Sequence, residues 1–359
     1  MPSDNHPPVV VNARFLTQPI TGVQRFAIEI CKRLVHLMPQ VKFVAPGGIL
    51  HPEVAETLGV ETYGTLKGHL WEQVELPLYL RGQGQKPLLV NLCNTGPLFY
   101  QRKLVCIHDL AFLVNPGWFS RAFSTFYRFL IPLVARGSER VLTVSNFSRE
   151  TIIKYLRVPE SEVVVLYNAV SDHFKGTAEE QPNRYGNYIL AVGSLDPRKN
   201  LKTLVKAFNA CHLPDLRLVI VGAASKIFRD AELQALVQEN PAVIFTGYLS
   251  DEELVSVYQN AKLFVYPSLY EGFGIPPLEA MSCGCATVVS ATSSLPEVCG
   301  EASYYIDPSS SDDIARAIKL LLGNDQIRRS LVEKGYARSS SFTWEGSARK
   351  LADIIQERA

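Results

Sequence analysis

Hydrophobic positions along this chain follow two alternating rhythms. Runs that are apolar at nearly every position, "PVVVNARFL" (8–16), "VKFVAP", "PLLVNLCN", "KLVCIHDL", "RVLTVS" and "EVVVLYN", are separated by stretches with apolar residues three or four apart. "GVQRFAIEICKRLVHLM" (22–38) and "SNFSRETIIKYL" (145–156) are of the second kind and predict helices that bury one face. Strands apolar on both faces belong in a parallel sheet covered by helices. The rhythm breaks after residue 168 at "AVSDHFKGTAEEQPNRYGN", which is polar and rich in Gly, Pro and charge. It resumes with "YILAVGS", "LRLVIVG", "AVIFTG", "KLFVYPS", "ATVVS" and "SYYID". Between these lie "NLKTLVKAFNACH", "DAELQALVQEN", "SDEELVSVYQN" and "SDDIARAIKLLLG". Two βαβ series predict two doubly wound α/β domains, 1–172 and 188–340, joined by a linker at 173–187. Residues 341–359 form a closing helix, with Thr343 as its cap and Glu345 in its first turn. Open α/β sheets bind ligands at the carboxyl ends of their strands, so the expected site is a cleft between the two domains.

Composition narrows the function classes. A chain of 359 residues exceeds one ordinary core, and 47% hydrophobic with 20% charged residues describes a folded globular protein. A formal net charge of +1 supplies no field for nucleic acid. Seven cysteines, at 31, 93, 106, 211, 283, 285 and 299, show no paired CxxC spacing and are expected as free, mostly buried thiols in a reducing compartment. Cys283 and Cys285 are too close in sequence for a comfortable bridge. The N-terminus has no secretory pattern, and no 18 apolar residues run uninterrupted. A cytoplasmic protein, at most peripheral on the inner membrane, is the expectation.

Candidate chemistry concentrates at predicted strand ends. In "YEGFGIPPLEA" (270–280) Glu271 and Glu279 bracket a glycine- and proline-rich turn after the strand "KLFVYPS". Gly272 and Gly274 free the backbone, Pro276 and Pro277 fit a first helical turn, and Gly284 closes the helix. Glu279 is expected on the first turn, and the N–H groups around Phe273, Gly274 and Ile275 form an anion site. Carboxylates beside such a site would suit sugar hydroxyls; alternatively Glu279 only complements the helix dipole and Glu271 is a solvated loop acid. In "GSLDPRKNLKTLVKAF", Arg198 and Lys199 precede a helix starting near Asn200, where they either clamp a diphosphate or form ordinary surface charge. Gly22, opening the first long helix, is a third anion candidate or a simple turn. His108 and Asp109 end the strand "KLVCIHDL", as a catalytic pair, a metal site or a structural hydrogen bond. Metal is disfavoured, because no H-x₃-H, Asp-x-Asp or cysteine cluster adds ligands. No nucleophile elbow, P-loop or GxGxxG fingerprint occurs.

Taken together, "GSLDPRKNL", "LYNAV" and "YLSDEELVSVYQNAKLFVYPSLYEGFGIPPLEAMSCGCATVVS" closely resemble the family 4 glycosyltransferases, retaining enzymes of the GT-B fold that use nucleotide sugars. The likeness is most specific over 188–300 and extends more weakly through "ITGVQRFA", "CIHDLAF" and "LTVSNFS". The resemblance implies that Glu271 contacts the donor hexose and Glu279 the ribose, with Phe273 between them. It implies that Arg198, Lys199, Gly22, Gly274 and Ile275 receive the diphosphate, and that His108 touches the transferred sugar. Many relatives carry arginine directly after the strand-ending glycine; here Ser194 stands there, which shifts weight to Arg198. The base is expected near Tyr248–Leu249 through backbone contacts, and the C-terminal helix is expected to return to the first domain. No metal or other cofactor is expected, the nucleotide-diphosphate sugar being a co-substrate.

The opening "VNARFLTQPITGVQRFAIEI" is similar to enzymes of bacterial O-antigen, capsule or exopolysaccharide synthesis. That similarity implies mannose or rhamnose as the sugar and an undecaprenyl-diphosphate-linked glycan as the acceptor. The stretch 115–140 mixes aromatics with Arg121, Arg128, Arg136 and Arg140. Either it contacts an anionic membrane, or its aromatics are core and its arginines a solvated face. An epimerase or phosphorylase of the same architecture is the nearer enzymatic rival, although no motif identifies a phosphorylase's cofactor lysine. A two-lobed sugar-binding protein is the non-catalytic one.

Overall fold

The computed structural model describes residues 8–175, 183–222 and 231–358. The first sheet consists of β1 (Val9–Asn12), β2 (Lys42–Ala45), β3 (Glu61–Thr62), β4 (Leu88–Asn91), β5 (Lys103–Cys106), β6 (Arg140–Thr143) and β7 (Val163–Val165), in the order β3-β2-β1-β4-β5-β6-β7. The second consists of β8 (Tyr188–Val192), β9 (Arg217–Val221), β10 (Val243–Gly247), β11 (Leu263–Tyr266), β12 (Thr287–Ser290) and β13 (Ser303–Ile306), in the order β10-β9-β8-β11-β12-β13. Neighbouring strands in both are parallel. The central strands are buried at every position in β1, β4, β5, β11 and β12, as unbroken apolar runs require. Among the described strands, only the two-residue edge strand β3, exposed at both positions, has no counterpart in the hydrophobic pattern.

The chain divides into one unit of residues 1–168 with 343–359, and a second of 169–342. The helix Trp344–Gln356 therefore returns to the first unit. Its i, i+4, i+7, i+11 residues Trp344, Ala348, Leu351 and Ile355 are buried, and it packs on the helix Gly22–Leu37, with the Trp344 ring 6.0 Å from Phe26. Truncating a side chain as large as Trp344 in such a contact costs about 3–5 kcal/mol. Thr343 caps this helix by accepting from the Gly346 N–H at 3.1 Å, and Glu345 occupies its first turn.

The observed division departs from a linker at 173–187. The second unit already begins at Ala169, and Phe174 is buried in it, 6.1 Å from the Tyr258 ring. The Phe174 carbonyl accepts from the Ser282 hydroxyl at 2.9 Å. An aromatic side chain inside a polar stretch thus anchors its start; residues 176–182 of that expected linker lie outside the described residues. All seven cysteines are free, and all but Cys93 are buried.

Candidate active site

In the second unit the carboxyl ends of β8, β9 and β11 build one compact site. The Gly193 N–H donates to the Val221 carbonyl at 2.9 Å. Gly222 lies at φ +147°, and a Cβ there would stand 2.0 Å from the Gly193 carbonyl oxygen, so only glycine permits this approach. The chain then makes the short turn Pro197–Lys199, capped by the Asp196 carboxylate accepting from the Arg198 N–H at 3.0 Å. Asn200, at φ 56°, fastens that turn to distant loops: its Nδ2 donates to the carbonyls of Pro267 at 3.1 Å and Pro308 at 2.7 Å. The Leu269 N–H donates to the Arg198 carbonyl at 2.7 Å. The basic turn and the acidic loop are thereby held together.

The result is a three-residue network. Lys199 Nζ donates to the Tyr266 hydroxyl at 2.6 Å and to Glu271 Oε1 at 2.5 Å, and the Tyr266 hydroxyl donates to the same oxygen at 2.9 Å. Lys199 also lies over the Tyr266 ring, 5.0 Å from its centroid. Glu271 is only 6% exposed. Burial alone would push its carboxyl up, but the Lys199 and Arg198 charges outweigh this and hold it below the ordinary carboxylate range. The solvated-loop alternative for Glu271 is excluded by this burial and pairing.

The backbone around Glu271 is pinned from behind. Its N–H donates to Ser293 Oγ at 3.1 Å, while the Ser294 hydroxyl lies 3.0 and 2.8 Å from the carbonyls of Glu271 and Phe273. Gly274 follows at φ +93° as the N-cap of the helix Ile275–Ser282, whose first turn contains Pro276 and Pro277. A Cβ on Gly274 would stand 2.6 Å from Leu295 Cδ2. Gly284, at φ +75°, lies just past the helix end.

Two expectations need correction here. Glu279 is the fifth residue of that helix and sits one turn deeper than the first, because the helix starts only at Ile275. There it is 9% exposed and accepts from the Tyr258 hydroxyl at 3.0 Å, an arrangement beyond simple dipole complementation. The Phe273 ring does not line the site: it is 3% exposed and packs edge-on against Phe342, 5.5 Å away, leaving its main chain to serve the turn. Ser194 and Tyr248 are exposed at the carboxyl ends of β8 and β10, with Leu249 half-buried beside Tyr248.

In the first unit Gly22 is exposed and opens its helix, and the Thr21 N–H before it donates to Gln24 Oε1 at 3.2 Å. His108 is 7% exposed, edge-on to Phe26 at 4.9 Å, with Nε2 2.9 Å from the Leu92 carbonyl. A carbonyl only accepts, so Nε2 carries the proton and Nδ1 is the acceptor. Burial pushes the imidazole pKa down against the opposing pull of Leu92 and Asp109, favouring the neutral ring. The Asp109 carboxylate accepts from the Ala111 N–H at 2.9 Å. Among the described residues no group of three or more His, Cys, Asp or Glu is arranged to hold a metal ion.

A polar cluster not singled out from the sequence lies at the ends of β1 and β4. Arg14 Nε is 3.2 Å from Glu72 Oε1, and Arg14 also donates to the Thr95 hydroxyl at 3.0 Å. Asn12 bridges Glu72 at 2.9 Å and Asn91 at 3.0 Å. Glu72 is 1% exposed; burial pushes its pKa up, but His69, Arg14 and Thr95 together bring it below the usual value. The signal was the "NAR" that directly follows "VVV".

Residues 20–174 match the family model described as Glycosyltransferase Family 4, and residues 175–338 the one described as Glycosyl transferases group 1. The O-antigen chain mannosyltransferase B of Escherichia coli is 30% identical over 356 residues, covering 91% of this chain and 93% of that protein. The chain belongs to glycosyltransferase family 4. This glycosyltransferase is also 32% identical over 268 residues to the serotype-specific mannosyltransferase WbdA of Escherichia coli; the match covers 68% of the chain and 32% of WbdA. Its fold is similar to that of the sucrose-phosphate synthase of Thermosynechococcus elongatus, with a TM-score of 0.77, 20% identity and 98% and 99% of the two chains covered. The two Rossmann-like domains of the glycosyltransferase are those of the GT-B fold.

Proposed function

We propose that this glycosyltransferase moves a mannosyl residue from a nucleotide-diphosphate sugar, with GDP-mannose as first choice, to a lipid-linked glycan during O-antigen synthesis. The observation that carries the reading is the Lys199–Tyr266–Glu271 network beside a glycine-capped helix start in the second unit. A diphosphate leaving group gains negative charge as its bond to the sugar breaks. Lys199, Arg198 and the N–H groups around Gly274 and Ile275 stabilise that charge without an added metal. Ser194 completes the phosphate surroundings in the second unit. Glu271, kept ionised by its basic neighbours, accepts from hexose hydroxyls, and Glu279 from those of the ribose. Tyr248 and Leu249 receive the base through their main chain.

Transfer proceeds with retention at the anomeric carbon. The acceptor hydroxyl attacks the face from which the diphosphate departs: the anomeric C–O bond to phosphate breaks, one to the acceptor oxygen forms, and the hydroxyl proton passes to the leaving phosphate oxygen. His108, with Nδ1 free of the Leu92 bond, orients a hydroxyl of the transferred sugar. The mannosyltransferase relatives favour mannose over rhamnose. Incubating the purified chain with a panel of nucleotide sugars and a synthetic lipid-diphosphate glycan tests the assignment. Nucleotide release with GDP-mannose and an α-linked product is expected. A new sugar nucleotide instead, or binding without turnover across the panel, overturns it.

A further inference from the structure

The stretch 115–140 was open between membrane contact and an aromatic core, and the structure decides against core for its outward residues. In the helix Arg121–Arg136, Ile131, Val134 and Ala135 are fully buried, whereas Phe126 is 47%, Phe129 68% and Leu133 57% exposed. Their i, i+3, i+7 spacing places these three on one face. Arg121, Arg128 and Arg136, spaced seven and eight apart, form an exposed row beside that face. The helix has no acidic residue. It thus carries a core face, an outward apolar face and a basic edge.

A second element continues the outward face. In the helical stretch 68–81, Leu70, Val74 and Leu78 recur every four residues and are 66%, 48% and 50% exposed. Its two acids face elsewhere: Glu72 is buried against Arg14, and Glu75 accepts from the N–H groups of Thr65 and Leu66. Lys67 and Arg81 stand exposed at its ends. The two elements touch where the His69 ring lies 5.4 Å from Phe126 and its Nε2 3.0 Å from the Tyr127 hydroxyl. The segment carrying Phe99, 91% exposed, joins both: Gln73 bonds the main chain of Gly96 and Leu98, and Lys103 bridges the carbonyls of Tyr100 and Gly137.

We infer that these elements form one platform that lies on a bilayer rich in anionic phospholipid, the exposed Phe and Leu side chains entering the acyl boundary and the flanking Arg and Lys meeting headgroup phosphates. The charge pattern favours this occupant: the acids within the two helical stretches are buried or bonded to main chain, whereas Lys67, Arg81, Arg121, Arg128 and Arg136 stand exposed beside the apolar residues, a combination that matches an anionic interface. No described helix is long and apolar enough to cross a membrane, so the contact is one of lying on the surface. The inference rests on the lipid-linked acceptor only for its purpose; its geometry is independent of the donor site.

The test is flotation of the intact chain, without donor or acceptor, with vesicles of phosphatidylcholine alone or of phosphatidylcholine with roughly a third phosphatidylglycerol. Wild type is expected to float with the anionic vesicles and to be released by salt. The triple variant Phe126→Ser/Phe129→Ser/Leu133→Ser is expected to lose binding at least about tenfold, and Arg121→Glu/Arg128→Glu/Arg136→Glu to lose the preference for anionic lipid. Circular dichroism confirms that each variant is folded, and the single variant Phe129→Glu stands in if the triple is not. Failure of wild type to float, binding unchanged in the variants, or a wild-type dimer dissolved by Phe129→Glu would each overturn the platform. Donor turnover measured separately, without lipid, distinguishes this from a failure of the transferase assignment.

Discussion

Lys199 Nζ stands 2.5 Å from Glu271 Oε1, so the cation assigned to the leaving diphosphate is already held by the carboxylate assigned to the hexose. Glu271 is buried and Lys199 half-buried, their side chains 8% and 12% exposed. The pair is self-compensating, and the Lys199 charge helps to keep Glu271 ionised. Tyr266 shares both partners and fixes the geometry of the pair.

Removing one member should therefore act on both activity and stability. Glu271→Ala and Lys199→Ala are each expected to lower kcat by at least about 100-fold, the scale of losing a preorganised charge in a transfer reaction. Each leaves a buried charge without its partner, which costs up to about 3–5 kcal/mol, so melting temperatures fall while far-ultraviolet circular dichroism remains native. Tyr266→Phe keeps the ion pair and should retain more activity than either. A folded Lys199→Ala protein with near-normal donor turnover contradicts the role given to Lys199.

Tyr258 offers a way to separate binding from chemistry. Its hydroxyl, fully buried, donates to Glu279 at 3.0 Å and has no other assigned task at the site. Loss of a hydrogen bond to a charged group is worth about 1.5–3 kcal/mol. If Glu279 holds the ribose equally in ground and transition states, Tyr258→Phe raises KM for the donor by about tenfold or more with kcat nearly unchanged. A fall in kcat at unchanged KM would remove Glu279 from ribose binding.

The parts of this site that were legible in sequence are those whose signal is local. Apolar runs gave the central strands, and the glycines and prolines of 272–277 gave the turn and helix start that carry Glu271 and Glu279. What was not legible depends on distant partners. Asn200 acts through carbonyls 67 and 108 residues away, and Ser293 and Ser294 hold a loop 21–23 residues earlier. Arg14 pairs with Glu72 across 58 residues. The aromatic helix Arg121–Arg136 misleads for a different reason: its residues at helical spacing fit a buried stripe and an outward one equally well, and only packing shows which face the core takes.

Gly274 ties the backbone conformation of the helix start to the proposed phosphate site. Its φ of +93° is strained for any L side chain, and a Cβ would also press on Leu295. Gly274→Ala is expected to weaken donor binding by about tenfold or more and to lower the melting temperature by several degrees, on the roughly 1–3 kcal/mol such strain costs. Adding Leu295→Ala relieves only the clash, so binding should recover in part. Full recovery in the double variant would show that the positive φ is not required.

Lys103, the first residue of β5, provides a pH-dependent test of the fold. It is fully buried, its Nζ donates to the carbonyls of Tyr100 and Gly137 at 2.7 Å each, and burial lowers its pKa from 10.5 to about 8. Below pH 8 the amine is charged in both folded and unfolded chains and contributes no slope. Between about 8 and 10.5 the unfolded chain binds a proton that the folded one has released, so this group makes stability rise with pH. Other groups titrate in the same range, notably buried tyrosines whose pKa values are raised and which oppose the trend. The informative quantity is therefore the difference between wild type and Lys103→Met, followed by denaturant unfolding from pH 7 to 10.5. Wild type should gain on the variant by up to about 3 kcal/mol across that interval, following from the size of the shift. A difference that stays constant with pH would mean that Lys103 keeps its proton inside the sheet, held by its two carbonyl partners strongly enough to offset burial.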